Sequence, residues 1–104
     1  MPSTKEYLNF ILEQLKGLDE ITYRAMMGEY IIYYKGKVIG GIYDNRFLVK
    51  PTKSAKVLMR NAPFELPYDG AKEMLLVDDV ENKDLLHELF EMMCKELPNP
   101  KKKK

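Results

Sequence analysis

Between Thr22 and Thr52 the chain runs through three or four segments rich in β-branched and aromatic residues, with only short spacers between them. Residues 22–26 (TYRAM), 29–34 (EYIIYY), 37–43 (KVIGGIY) and 46–50 (RFLVK) read as strands in meander order. Lys35-Gly36 and Asp44-Asn45 are two-residue turns suited to antiparallel hairpins, because Gly and Asn tolerate positive φ. Gly28 lacks both a G-x-G-x-x-G context and a following helix start. It therefore marks a bulge or a tight strand connection. Gly40-Gly41 marks a close packing site or a kink. No residue of the run is an obvious catalyst.

The flanks are helical. Ser3 and Glu6 form an S-x-x-E capping box, Leu8, Ile11, Leu12 and Leu15 recur at helical spacing, and Gly17 supplies the stop. Pro51 ends the sheet, and Thr52 or Ser54 caps a short helix reaching about Met59. Residues 61–70, NAPFELPYDG, read as an ordered loop pinned to the core by Phe64, Leu66 and Tyr68. A short strand is expected at 73–77. Asn82 then caps a long helix whose Leu85, Leu86, Leu89, Phe90, Met93 and Leu97 form one stripe, stopped by Pro98 and Pro100. The expected order is α-β-β-β-(β)-α-β-α. This is a single α+β domain over residues 1–97, with an antiparallel meander sheet, three helices and a disordered Pro/Lys tail at 98–104.

Composition narrows the function classes. A chain of 104 residues buries enough surface to fold without a metal or disulfide staple. One cysteine excludes an intrachain disulfide and fits a reducing compartment. Neither a signal peptide nor an apolar stretch of about 20 residues is present, so the expected location is the cytoplasm. The net charge is +1, yet the four terminal lysines carry +4, which leaves −3 over the first 100 residues. Residues 21–53 hold +4 of their own, so the helical flanks are acidic. Basic groups thus surround the sheet, but the domain lacks the strong positive charge of a nucleic-acid binder.

No constellation reads as catalytic, and neither metal nor cofactor is expected. His87 has no Cys or His at ligand spacing. Cys94 reads as a small boundary hydrophobe. Asp78, Asp79, Glu81 and Asp84 suit the start of a helix through its dipole and do not match an EF-hand loop. Arg24, Glu29, Arg46 and Lys50 share one region of the sheet and read as solvated ion pairs. In 29–34 both faces are rich: Tyr30, Ile32 and Tyr34 on one, Ile31 and Tyr33 on the other. A sheet covered on one side alternates apolar with polar. The second face is therefore covered by the loop and a helix or buried against a partner, and a homodimer through that face is the expectation.

These residues resemble the TfoX (Sxy) N-terminal domain family, which shows an R-x-M-F-G-G-Y-G-L-Y element, a turn, an apolar strand, an acidic turn and a strand closing in L-K. Arg24, Met26, Met27, Gly28 and Tyr30 match the opening, and Tyr33 and Tyr34 stand near the family's aromatic. Lys35-Gly36 fills the turn, Asp44 the acidic turn, and Phe47 to Lys50 the closing strand. Met27 stands where Phe is usual, and Glu29 replaces the second glycine. The resemblance implies a short stand-alone member without the separate C-terminal domain of full-length members. It also implies a fold similar to type III secretion chaperones and a non-enzymatic, regulatory or adaptor role linked to competence. Arg24, Met26, Met27, Gly28, Tyr30, Tyr34, Gly36, Asp44, Arg46 and Lys50 are the candidate interaction or motif residues. The expected partner is a protein or a second copy, with no membrane. The alternatives are weak nucleic-acid binding with Tyr33, Tyr34 or Phe47 stacking on bases and, last, a small-molecule enzyme.

Overall fold

The computed structural model describes residues 4–26 and 28–97. Three helices, α1 (Lys5–Gln14), α2 (Lys53–Leu58) and α3 (Lys83–Glu96), accompany six strands: β1 (Ile21–Met26), β2 (Glu29–Tyr34), β3 (Lys37–Tyr43), β4 (Arg46–Val49), β5 (Phe64–Glu65) and β6 (Met74–Leu76). The strands form one antiparallel sheet in the order β1-β2-β3-β4-β6-β5. The expected α+β class and meander are present.

The turns explain the register. Lys35 and Gly36 have φ of 54° and 82°, and Asp44 and Asn45 have 55° and 56°, the left-handed pairs that match hairpin twist. Gly28, at φ 85°, belongs to the two-residue connection between β1 and β2, the tighter of its two readings. Farther along, Ile32 faces Gly40 while Tyr33 faces Val38, so Ile39 is an extra residue in β3, a β-bulge. Gly40 is required beside it: a Cβ there would lie 2.0 Å from the Leu48 carbonyl oxygen.

Three details differ from the sequence reading. Helix α1 is capped by Thr4, whose hydroxyl accepts from the Tyr7 N–H at 3.1 Å, one residue later than the expected cap; Ser3 lies outside the described residues. Residues 64–65 form a strand inside the expected loop, added at the sheet edge by pairing with β6. Phe64, Leu66 and Tyr68 do not pin that loop to the core. They are 47%, 45% and 62% exposed, and Pro67 is the buried residue. The Pro98 and Pro100 stops and the 98–104 tail also lie outside the described residues.

All three helices supply the core that closes one face of the sheet. Leu8 and Ile11 of α1, Ala55 of α2, and Leu86, Leu89, Phe90 and Met93 of α3 are fully buried with Ile32, Ile39, Ile42, Phe47, Val49 and Leu75. Phe90 sits between Tyr34 and Phe47, with ring centroids 6.0 and 6.1 Å away. Helix α2 is too short to be stable alone. It is held by its neighbour: the Glu96 carboxylate ends α3 and accepts from the Ser54 N–H at 3.0 Å and from the Ser54 hydroxyl. Thr52 caps the same end through the Ala55 N–H.

Two outcomes follow. Truncating Phe90→Ala removes a fully buried ring and should cost about 3–5 kcal/mol in chemical denaturation, a large share of the stability of such a domain. The Ser54 hydrogen bonds hold the Glu96 carboxyl below its usual range. A lowered folded-state pKa stabilises the protein above the ordinary carboxyl value, about 4.3, and that contribution is lost as pH falls through the folded value. Denaturation midpoints measured from neutral pH down to about 3 should therefore fall less steeply on the acid side in Glu96→Gln than in the parent.

Candidate interaction surface

Strand parity assigns the other face of the sheet. Across the registers, Thr22, Arg24 and Met26 of β1 align with Glu29, Ile31 and Tyr33 of β2. Val38, Gly41 and Tyr43 of β3, Arg46 and Leu48 of β4, and Met74 and Leu76 of β6 continue that face. Among the described residues no helix contributes to it. Ile31, Tyr33, Val38, Tyr43, Met74 and Leu76 are all half-buried, and Met26 is 46% exposed. Leu48 is fully buried although it stands apart from the helix-side core cluster, so its cover comes from the outer face.

Part of that cover is local. The Tyr43 ring lies back across Gly41, where a Cβ would meet its Cε2 at 2.8 Å. Tyr68, from the loop between β5 and β6, approaches Tyr43 at 6.2 Å between centroids. Burial pushes the Tyr43 phenol above its ordinary pKa, and the proximity of Tyr68, Glu29 and Tyr33 adds to the shift. Arg46 ties the segment down. Its guanidinium donates to Glu65 Oε1 at 2.5 Å, to the Leu66 carbonyl at 3.2 Å and to the Tyr43 carbonyl at 3.2 Å. The outer face is thus partly covered by the loop, and the covering helix considered from sequence is absent among the described residues.

The structure disperses the residues singled out from sequence. Arg24, Met26 and Arg46 share the outer face. Tyr30 and Tyr34 point to the helix side, Tyr30 against Tyr23 at 6.0 Å and Tyr34 buried against Phe90. Gly28, Gly36 and Asp44 serve the hairpin turns, where the Asp44 N–H donates to Glu29 Oε1 at 3.1 Å. Lys50 follows β4, its N–H on the Ile39 carbonyl at 2.9 Å. Met27 lies outside the described residues. Base stacking by Tyr34 or Phe47 is excluded, because both are sealed in the core at 4% and 0% exposure. Sequence reasoning missed Tyr43 and Tyr68. One stands at a strand end and the other inside a proline-bounded loop, and neither position signals a shared face.

Elsewhere the surface offers little chemistry. A groove of about 370 Å³ is lined by Tyr34, Lys35, Lys37, Glu91, Cys94 and Lys95. Lys37 Nζ already donates to the Cys94 carbonyl at 2.6 Å, and Lys35 lies 5.3 Å over the Tyr34 ring. His87 packs against Gly17, with its Nε2 buried and without a hydrogen-bond partner. Among the described residues no three His, Cys, Asp or Glu side chains gather as a metal site, and no helix is long and apolar enough to cross a membrane.

These features define a small α+β domain with one sheet face sealed by helices and the other left aromatic and partly open. The chain belongs to the TfoX N-terminal domain family, whose model matches residues 13–91. That family is a competence-regulator-like one, regulatory and non-catalytic. An uncharacterised 12.7 kDa protein in the trpE 5′ region of Spirochaeta aurantia is 33% identical to this chain, over the whole of it and 91% of that relative. No solved structure matches the chain.

Replacing Arg46 by lysine keeps the charge but loses the planar fork that reaches three acceptors on two segments. Arg46→Lys should cost about 1 kcal/mol of stability and accelerate proteolytic nicking between β5 and β6, measured by limited proteolysis.

Proposed function

We propose that this chain is a non-catalytic adaptor domain that regulates by binding another protein across the outer face of its sheet, in a transcriptional setting of the competence-regulator kind. The observation that carries this reading is the composition of that face. Ile31, Tyr33, Val38, Tyr43, Met74 and Leu76 remain half-buried on a side that no helix covers among the described residues. Aromatic side chains, methionine and arginine at the rim are the residue types enriched at protein interfaces. The phenols of Tyr33 and Tyr43 add hydrogen-bonding capacity to an apolar platform. Arg24 and Glu29 set a charged border at the end near β1. The family supports the regulatory assignment, and its members' link to competence supports the setting.

Direct nucleic-acid binding is weaker on this geometry. Of the three proposed stacking rings only Tyr33 reaches the surface, and Arg46 is committed to Glu65.

The test is quantitative affinity capture from the native host with the parent chain, Tyr33→Asp and Glu88→Lys. Glu88 is an exposed position on α3 and serves as the charge-change control. Tyr33→Asp should reduce recovery of the specific partner at least tenfold, about 1.4 kcal/mol or more, with unchanged circular dichroism, while Glu88→Lys retains it. Equal recovery by all three chains overturns the outer-face reading. Retention of a labelled single strand at low salt, lost steeply as salt rises, would favour the nucleic-acid reading instead.

A further inference from the structure

Strand β1 is an edge of the sheet, and its backbone geometry points outward in a regular way. All six of its residues pair with β2, from Ile21 opposite Tyr34 to Met26 opposite Glu29. The Lys35 N–H donates to the Glu20 carbonyl at 3.0 Å, which fixes the phase of the ladder. Hydrogen-bonded and non-hydrogen-bonded pairs alternate in an antiparallel ladder. Thr22, Arg24 and Met26 therefore use their peptide groups on β2. The N–H and C=O groups of Ile21, Tyr23 and Ala25 face away from the sheet.

The two edges are protected very differently. β5 is two residues long and lies between Pro63 and Pro67. β1 is six residues long with no proline, no lysine and an unbroken register. Long, flat edges of this kind are templates for pairing with another strand, and native proteins usually block them. Nothing among the described residues screens β1: every residue from Thr22 to Met26 is exposed.

We propose that a second copy of this chain pairs antiparallel with β1, about a two-fold axis beside Tyr23. In that register Tyr23 opposes Tyr23 of the second copy, Ile21 opposes Ala25, and Thr22 opposes Arg24. Each outward N–H then meets an outward C=O. The charges along the edge are self-complementary on balance and favour a second copy in this direction. Asp19 and Glu20 are exposed at the start of the strand, and Arg24 is exposed toward its end. The antiparallel two-fold carries Arg24 of each copy toward the exposed Asp19 and Glu20 of the other, giving two opposite-charge approaches against one diagonal approach of Arg24 to Arg24. Parallel pairing would set Arg24 on Arg24. The pairing is independent of the adaptor reading, since it uses the edge and leaves the outer face clear. It joins the two sheets, so that their outer faces form one continuous surface.

Sedimentation equilibrium from micromolar concentrations to about 1 mM tests this with the full chain. The parent should pass from its monomer mass of 12.2 kDa to twice that value as concentration rises. Ala25→Pro removes an outward N–H that β2 does not use, as edge strands tolerate. Tyr23→Lys places a charge at the centre of the edge and changes no backbone donor. Each should raise the dissociation constant at least tenfold, about 1.4 kcal/mol, with unchanged circular dichroism. If Ala25→Pro perturbs the hairpin, Tyr23→Lys decides alone. A parent that stays at 12.2 kDa throughout overturns the proposal. So does a dimer that Tyr23→Lys leaves intact, or one abolished only by Tyr33→Asp on the outer face.

Discussion

Burying Phe90 between Tyr34 of β2 and Phe47 of β4 forces α3 to cross the middle strands of the sheet. The other elements accommodate that crossing. α1 fills the same side with Leu8 and Ile11, and α2 is held at its N-terminus by the carboxylate that ends α3. With every helix drawn to one side, strand parity leaves Ile31, Tyr33 and Val38 on a face without a helical cover. The open face is therefore a consequence of where the core was built.

That open face carries packing and hydrogen bonds of its own. The bulge at Ile39 turns two consecutive residues of β3 to the core side, and glycine at position 40 admits the β4 backbone. On the opposite side Gly41 admits the Tyr43 ring, which then meets Tyr68. Arg46 fixes the segment that carries Tyr68 by two hydrogen bonds, to Glu65 and to the Leu66 carbonyl, and makes a third to the Tyr43 carbonyl. Preorganised aromatic side chains lose little freedom on binding, which suits them to recognition by a protein partner.

The sequence made the hairpins, the helix stripe and the class legible because each depends on neighbours in the chain. Lys35-Gly36 and Asp44-Asn45 announce left-handed turns, Asn82 announces a cap, and the alternation of 29–34 announces two apolar faces. What escaped is non-local. Phe64 and Glu65 become a strand only because β6 offers an edge, and Phe64, Leu66 and Tyr68 stay exposed because a proline, not an aromatic ring, packs that loop. The Arg46–Glu65 and Glu96–Ser54 contacts span 19 and 42 residues, beyond any periodicity. Tyr34 lies in the family-like element, yet its parity with Ile32 sends it to Phe90 and not to the surface.

The central claim is that the helix-free face, and not the helix-covered side, meets the partner. Site-specific photo-crosslinking in the native host addresses this most directly, with a photoreactive residue at Tyr33 in one chain and at Glu88 of α3 in another. The account predicts one discrete protein adduct from position 33 and none of that mass from position 88. The same adduct from both positions, or an adduct from position 88 alone, would contradict it.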